Sequence, residues 1–215
     1  MKRRIRLFSR FERLWHWSQA FLIIGMLITG FELHGTYTLL GYRTAAEVHV
    51  ACAVALMTVW VFAIFWHVIT GEWRQYIPTT RKLTSIIYFY TRGIFRGDPH
   101  PFRPTRGRKH NPLQLLAYLV FNTVVSPTIW ITGLLYLSIQ LADSMIPIPL
   151  SVVAPIHVAA AYATATFLLA HVYMITTGRS VFQHLKAMIT GFKTVEVDPE
   201  PVADSLPERA LGPRR

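Results

Sequence analysis

P-I-H-V-A-A-A-Y-A-T-A-T-F-L-L-A-H-V-Y-M-I-T-T-G, residues 155–178, is the stretch on which the fold turns. No charged residue interrupts it, and at about 1.5 Å of rise per residue it is long enough to cross a hydrocarbon core about 30 Å thick. It nevertheless carries two histidines, His157 and His171, fourteen residues apart. On an α-helix that spacing is close to four turns, so both imidazoles leave from nearly one face, about 21 Å apart along the axis. Ionisable side chains are costly inside a span and usually mark a site. Two on one face predict two stacked sites, one in each half of the bilayer.

The composition agrees with a membrane setting. Hydrophobic residues make up 52% of the 215-residue chain and charged residues only 15%, against about a quarter in soluble domains. The formal net charge is +11, but the basic residues flank apolar runs instead of forming one groove-sized patch. That pattern argues for membrane topology and against nucleic-acid binding. A single cysteine, Cys52, excludes an internal disulfide, a cysteine-ligated iron–sulfur cluster and a C-x-x-C-H haem attachment. The basic start followed by an apolar run is similar to a signal peptide, but no small-x-small site follows it, so it reads as a retained first helix.

Three further charge-free runs precede the first stretch: 14–31, 48–71 and 111–142, the last with Pro127 as an expected kink. Trp15 and Trp17 open the first of them at the level expected for an aromatic belt. Between the second and third runs, Leu83, Ile86, Ile87, Tyr90 and Ile94 share a helical face opposite Arg81, Arg92 and Arg96. This predicts an amphipathic helix lying in the interface. A second one is expected after the last span, capped by Ser180, with Val181, Leu185, Met188, Ile189 and Phe192 on its apolar face. The expected fold class is all-α integral membrane, a four-helix transmembrane bundle with interfacial amphipathic helices. Residues 1–193 form the four-span domain, and 194–215 a polar, disordered tail.

Lys and Arg number six in the head, nine in the second connection and six after the fourth span, but one in the first connection and none in the third. The asymmetry puts both termini and the long connection in the cytoplasm. With orientation fixed, depth follows. His16 and His171 lie in the cytoplasmic half, and His49 and His157 in the outer half. Each pair supplies two axial ligands to one iron, and neutral imidazole is a common haem ligand. Without a C-x-x-C-H motif, these are two b-type haems, held non-covalently between two histidines each. His34 and His67 compete for these roles, each eighteen residues beyond a ligand candidate, although both sit at span ends where a histidine is easily hydrated. Arg13 shares a face with His16 and is a candidate for a haem propionate, with a plain membrane anchor as the alternative. Gly25, Gly30 and Gly133 would admit either a flat macrocycle or close helix packing. His110 abuts Asn111 at the mouth of the third span. Asn111-Pro112 also reads as a helix N-cap followed by proline in the first turn.

R-F-E-R-L-W-H-W (10–17), I-T-G-F-E-L-H-G (28–35), E-V-H-V (47–50), H-V-I-T-G-E-W-R-Q-Y-I-P (67–78), H-N-P-L (110–113) and the His157–His171 spacing together resemble the bacterial di-haem membrane cytochrome b family. That family includes formate dehydrogenase gamma subunits and the cytochrome b subunits of nickel–iron hydrogenases and thiosulfate reductases. The resemblance implies haem ligands from the first, second and fourth spans, at His16, His49, His157 and His171. It also implies a quinone pocket beside the cytoplasmic haem that involves Asn111. The chain differs from formate dehydrogenase subunits after that asparagine, with Pro112, Leu113 and Gln114.

The expected function is therefore that of an electron-transfer, quinone-reactive subunit of an oxidoreductase complex in the bacterial inner membrane. Electrons would pass through the two haems between a membrane quinone, bound by Asn111 and His110, and a partner on the periplasmic face. The partner would be an iron–sulfur or multihaem cytochrome subunit. The alternatives are a stand-alone cytochrome that oxidises a small diffusible donor and, from another class, a metal-ion carrier or a cofactor-free anchor. A carrier would gather several ligands around one midplane site, which the histidine depths argue against.

Overall fold

The computed structural model describes residues 2–102, 105, 108–141, 148–176 and 182–196. Four helices are long and apolar enough to cross a membrane: α1 (Arg10–Leu33), α2 (Tyr42–Thr70), the segment Pro112–Ile139, and α7 (Leu150–Thr176). The third consists of α5 (Pro112–Val120), a π-turn (Phe121–Val125) and α6 (Ser126–Leu141). Pro127 has no N–H to donate to the preceding turn. The expected kink takes the form of that widened turn immediately upstream. The helices pack as two hairpins, α1 with α2 and α6 with α7, and α1 also touches α7. Large apolar side chains such as Phe21, Phe65 and Leu169 point outward and are 63–73% exposed, which suits lipid as solvent.

Both hairpin ends have local causes. Ser9 caps α1 with a full capping box: its hydroxyl accepts from the Glu12 N–H while Glu12 Oε2 accepts from the Ser9 N–H. At the other end of α1, Glu32 is buried, and its Oε1 accepts from the N–H groups of Leu39, Leu40 and Gly41 at 2.7–2.8 Å. One carboxylate thus fixes the tight connection and the start of α2.

An element absent from the sequence reading ties the termini together. β1 (Lys2–Arg6) pairs antiparallel with β2 (Phe192–Glu196), Lys2 opposite Glu196 and Arg6 opposite Phe192. The strand carries regular structure past the boundary expected at 193; residues 197–215, the rest of the expected tail, lie outside the described residues. Gly191 makes the junction possible. It ends α8 (Gln183–Thr190) at φ +85°, and a Cβ there would stand 2.9 Å from the Phe8 carbonyl oxygen.

In α3 (Leu83–Tyr88), the following π-turn (Phe89–Gly93) and α4 (Ile94–Arg96), Ile86 and Phe89 are buried, while Ile87 is exposed, as an apolar side chain turned to lipid would be. One expectation about the interfacial helices needs correction. In the last helix, Ala187 is the buried residue and Ile189 is exposed. Phe192 belongs to β2, where Arg4 lies over its ring at 4.4 Å. Ser180 and Val181 lie outside the described residues.

Candidate functional site

The four expected ligands meet in two pairs. His16 of α1 faces His171 of α7 with ring centroids 6.2 Å apart, and His49 of α2 faces His157 of α7 at 6.4 Å. An imidazole nitrogen binds a metal at about 2.0–2.1 Å and sits about 1.1 Å from its own ring centre, so two rings on opposite sides of one ion have centroids about 6.3 Å apart. The residues present fit a bis-histidine iron. Among the described residues, no three His, Cys, Asp or Glu side chains gather around one point. A pair alone suits haem, whose porphyrin supplies the other four nitrogens.

Prokaryotic cytochrome b561 is the family that matches, over residues 7–191. The chain belongs to that family. It is also similar to the Escherichia coli (strain K12) protein described as "Putative cytochrome YdhU", with 30% identity over 199 residues, covering 88% of this chain and 74% of that protein. No solved structure matches the chain. Membership in the cytochrome b561 family makes this a multi-pass bacterial membrane cytochrome b of electron transfer and implies haem b.

A feature that the sequence reading passed over surrounds the His49–His157 pair. Thr29 Oγ1 lies 3.0 Å from His49 Nδ1, and Thr132 Oγ1 lies 3.0 Å from His157 Nδ1. Each hydroxyl already donates its one hydrogen to a carbonyl of its own helix, Gly25 at 2.8 Å or Thr128 at 2.6 Å. Each threonine oxygen must therefore accept, and each Nδ1 must donate. This fixes the tautomer and leaves Nε2 with the lone pair that a metal takes. The next residue in each case is glycine. A Cβ on Gly30 would meet His49 Cε1 at 3.2 Å, and one on Gly133 would meet His157 Cε1 at 3.2 Å. These two glycines admit the ligand's own imidazole. Gly25 faces Cys52 Sγ. The tripeptide Ile-Thr-Gly stands at 28–30 and 131–133 but also at 69–71 and 189–191, so only the structure singles out the two that back a histidine.

The His16–His171 pair has different surroundings. It lines a cavity of about 1300 Å³ at the end of the bundle that carries the sheet, and this cavity does not reach His49 or His157. His110, Asn111, Gln114, Tyr76 and Tyr118 line it as well. Asn111 caps α5: its Oδ1 accepts from the Gln114 N–H at 2.8 Å while Gln114 Oε1 accepts from the Asn111 N–H at 2.9 Å. Its Nδ2 lies 3.3 Å from Tyr90 Oη, and a second Nδ2 hydrogen remains for a guest. His110 packs on Tyr76 and Tyr118 at 5.5 and 5.2 Å. Burial, reinforced by the neighbouring Lys109 cation, lowers its pKa to about 4 and keeps it neutral. Burial also raises the pKa of the Tyr76 phenol, so it stays protonated. The rim is stapled by Lys109, whose Nζ lies 2.6 Å from Glu12 Oε1 and 3.1 Å from Glu72 Oε2.

Two expectations change here. Arg13 does not line the cavity; its guanidinium donates to the carbonyl of Ile189, near the C-terminus of α8, and to that of Ser9. A guanidinium finds both hydrogen bonds and favourable charge where a helix leaves its carbonyls unpaired. His67 is not hydrated at a span end but buried, with Nδ1 2.7 Å from the Ala63 carbonyl oxygen. Nor does it face His171; its ring neighbours are Trp15, Trp66 and Tyr76. Trp15 lines the cavity as well. His34 is exposed, as a span-end residue would be.

Proposed function

We propose that this cytochrome carries electrons between a membrane quinone and a redox partner through two b-type haems, one held by His16 and His171 and one by His49 and His157. The observation that carries this reading is the spacing of 6.2 and 6.4 Å within the two pairs. When bound, haem b supplies one-electron transfer, and the protein's own part is to position it and to tune its surroundings. The quinone site lies in the cavity beside His16 and His171, where Asn111 can donate to a quinone carbonyl. Neutral His110 hydrogen-bonds the quinone's other substituents and relays protons toward the rim.

Orientation follows from the basic residues. The head, the long second connection and the segment after the fourth span are rich in Lys and Arg, and the described parts meet at the sheet end. That end faces the cytoplasm of a bacterial inner membrane, with both termini inside. The partner, an iron–sulfur or multihaem cytochrome subunit, then docks on the periplasmic side, near the tight connection that Glu32 holds. Pyridine haemochrome analysis of the purified protein is expected to give two haems per chain, with two low-spin signals by EPR; one haem per chain would refute the paired reading. Labelling of single cysteines in a Cys52→Ala background is expected to reach residue 40 from outside and residue 105 only from inside.

A further inference from the structure

Charge is unevenly compensated on the wall of the cavity that holds His16 and His171. Among the described residues, its charged side chains are Glu12, Asp98, Lys109 and Lys193. Lys109 is committed to two carboxylates, Glu12 at 2.6 Å and Glu72 at 3.1 Å. Lys193 of β2 has neither an ion pair nor a hydrogen bond from Nζ among the described residues, with Asp98 or any other acid. It is nevertheless half-buried, and burial lowers its pKa from the ordinary lysine value. His184 of α8 shares that part of the wall: burial, reinforced by the Lys193 cation and by His100, lowers its pKa to about 4. His100 is already bonded, Nε2 to Tyr90 Oη at 3.3 Å and Nδ1 to the Phe102 backbone. Neither ring nitrogen of His184 is. The unpartnered nitrogens of Trp15, His16, Trp60 and His67 are sealed from solvent, whereas Lys193 Nζ and the His184 nitrogens are not. They are the groups open to a guest.

A half-buried ammonium without a counter-charge is suited to an anion. Haem b held by His16 and His171 brings two, the propionate carboxylates on one edge of an otherwise apolar macrocycle. The walls decide which way that edge faces. Ile23 and Ile24 of α1 and Leu168 of α7 lie deeper in the bundle than the two histidines and are apolar. The sheet end carries the free cation. There the Gly191 carbonyl accepts from the N–H groups of Leu7 and Phe8 at 2.8 and 3.2 Å, and Lys193 follows two residues later, opposite Ile5. From Arg10, the first residue of α1, to His16 is about 9 Å of helical rise, a gap suited to a lysine's four-carbon stem and a propionate chain reaching toward each other. Arg13 is turned to backbone carbonyls. A lipid phosphate offers the same anionic oxygen, but the cavity that Lys193 lines also contains both histidines, which favours the propionate.

We propose that Lys193 Nζ is the ion-pair partner of a propionate of the His16–His171 haem, with a ring N–H of neutral His184 donating to the same carboxylate. The terminal sheet thereby acquires a role: β1 fixes β2 against the start of α1, and β2 presents Lys193 to the haem's polar edge. This inference rests on the haem reading above and is independent of the quinone.

The test is resonance Raman spectroscopy of the purified haem-loaded protein, in the wild-type and the His157→Ala backgrounds. The propionate bending band reports hydrogen bonding to the carboxylate. Lys193→Met is expected to shift this band for the His16–His171 haem, and Lys193→Arg to return it toward wild type. Lys186→Met removes an equal charge from an exposed position on α8 and is expected to leave the band in place. Transfer of haem to excess apomyoglobin gives a second reading. Lys193→Met is expected to speed haem loss from this pair about tenfold, with the His49–His157 haem unchanged; His184→Leu is expected to have a smaller effect on both readings.

A band indifferent to Lys193→Met overturns the proposal, whatever the transfer rate, and leaves Lys193 to a lipid phosphate or to water. So does an equal shift in Lys186→Met, which would show charge acting at a distance. Should Lys193→Met take up no haem at this pair, uptake decides: recovery in Lys193→Arg but not in Lys193→Gln supports the ion pair, whereas recovery in both or in neither overturns it. If wild type carries no low-spin haem that His171→Ala removes, the haem reading itself falls. If it carries one and the band ignores Lys193, only the propionate partner falls.

Discussion

His49 and His157 are each held by a threonine and backed by a glycine of the neighbouring helix. His16 and His171 have neither support: His16 Nδ1 is buried without a partner, and both rings open onto the large cavity. The ligand type and the spacing are the same and all four rings are half-buried, yet one pair is closed off from the cavity and locked in a single tautomer, while the other is open to it. The side chains around the rings separate the two. A locked pair away from the cavity suits a centre that only passes electrons; a pair open to it suits one that exchanges them with a small molecule. The lock also repeats across the two hairpins: the first helix of each supplies Thr-Gly and the second supplies the histidine.

The largest effect should come from removing a ligand. His157→Ala is expected to lower haem content from two per chain to one by deleting the signal of the closed pair, and His171→Ala by deleting that of the open pair. Pyridine haemochrome analysis with low-temperature EPR reads both. If either substitution removes both signals, the two pairs are not independent and the comparison breaks.

Next in size, Gly30→Val and Gly133→Val place new atoms against an imidazole that would stand 3.2 Å from even a bare Cβ. Overpacking of this kind costs about 1–3 kcal/mol. The EPR signal of the closed pair should shift or vanish, with that of the open pair unchanged. An identical shift in both would show that the glycines act on bundle packing as a whole.

A smaller effect is expected from Thr29→Val and Thr132→Val, about 1 kcal/mol each for a lost hydrogen bond. Donation from Nδ1 makes the ligand more basic and favours ferric iron. The midpoint potential of the closed-pair haem should therefore rise in the valine variants and stay near wild type in Thr→Ser. A potential indifferent to all four substitutions would reduce the threonines to packing residues.

The smallest effect is a pH dependence confined to the open end. Burial, with Lys109 adding to it, lowers His110 to about 4; burial, with Lys193 and His100 adding to it, lowers His184 to about 4. Both histidines are neutral in the folded protein, whereas an unfolded histidine takes a proton near pH 6.5. Their contribution is complete above about pH 6.5 and is lost as pH falls toward 4. Hydrogen exchange should show α8 and the 109–111 segment loosening over that window while the Glu32 connection stays protected. Uniform loosening would remove the distinction between the ends.

Much of this molecule was legible as a string because membrane crossing is a local, one-dimensional problem. Each span must satisfy its own backbone hydrogen bonds and face lipid, so length and apolarity set α1, α2, Pro112–Ile139 and α7 without reference to their neighbours. Helical periodicity then gave the depth of His16, His49, His157 and His171, and depth alone suggested the pairs. Tertiary structure decided what depth cannot encode, namely which atoms meet across helices. It alone turned Arg13 to the end of α8, buried His67 beside Trp15, and put a threonine behind each ring of the closed pair. It also paired Lys2–Arg6 with Phe192–Glu196, strands too far apart in sequence for any local pattern to show. Such contacts depend on how two hairpins pack, and the same apolar pattern would fit more than one arrangement until the side chains interlock.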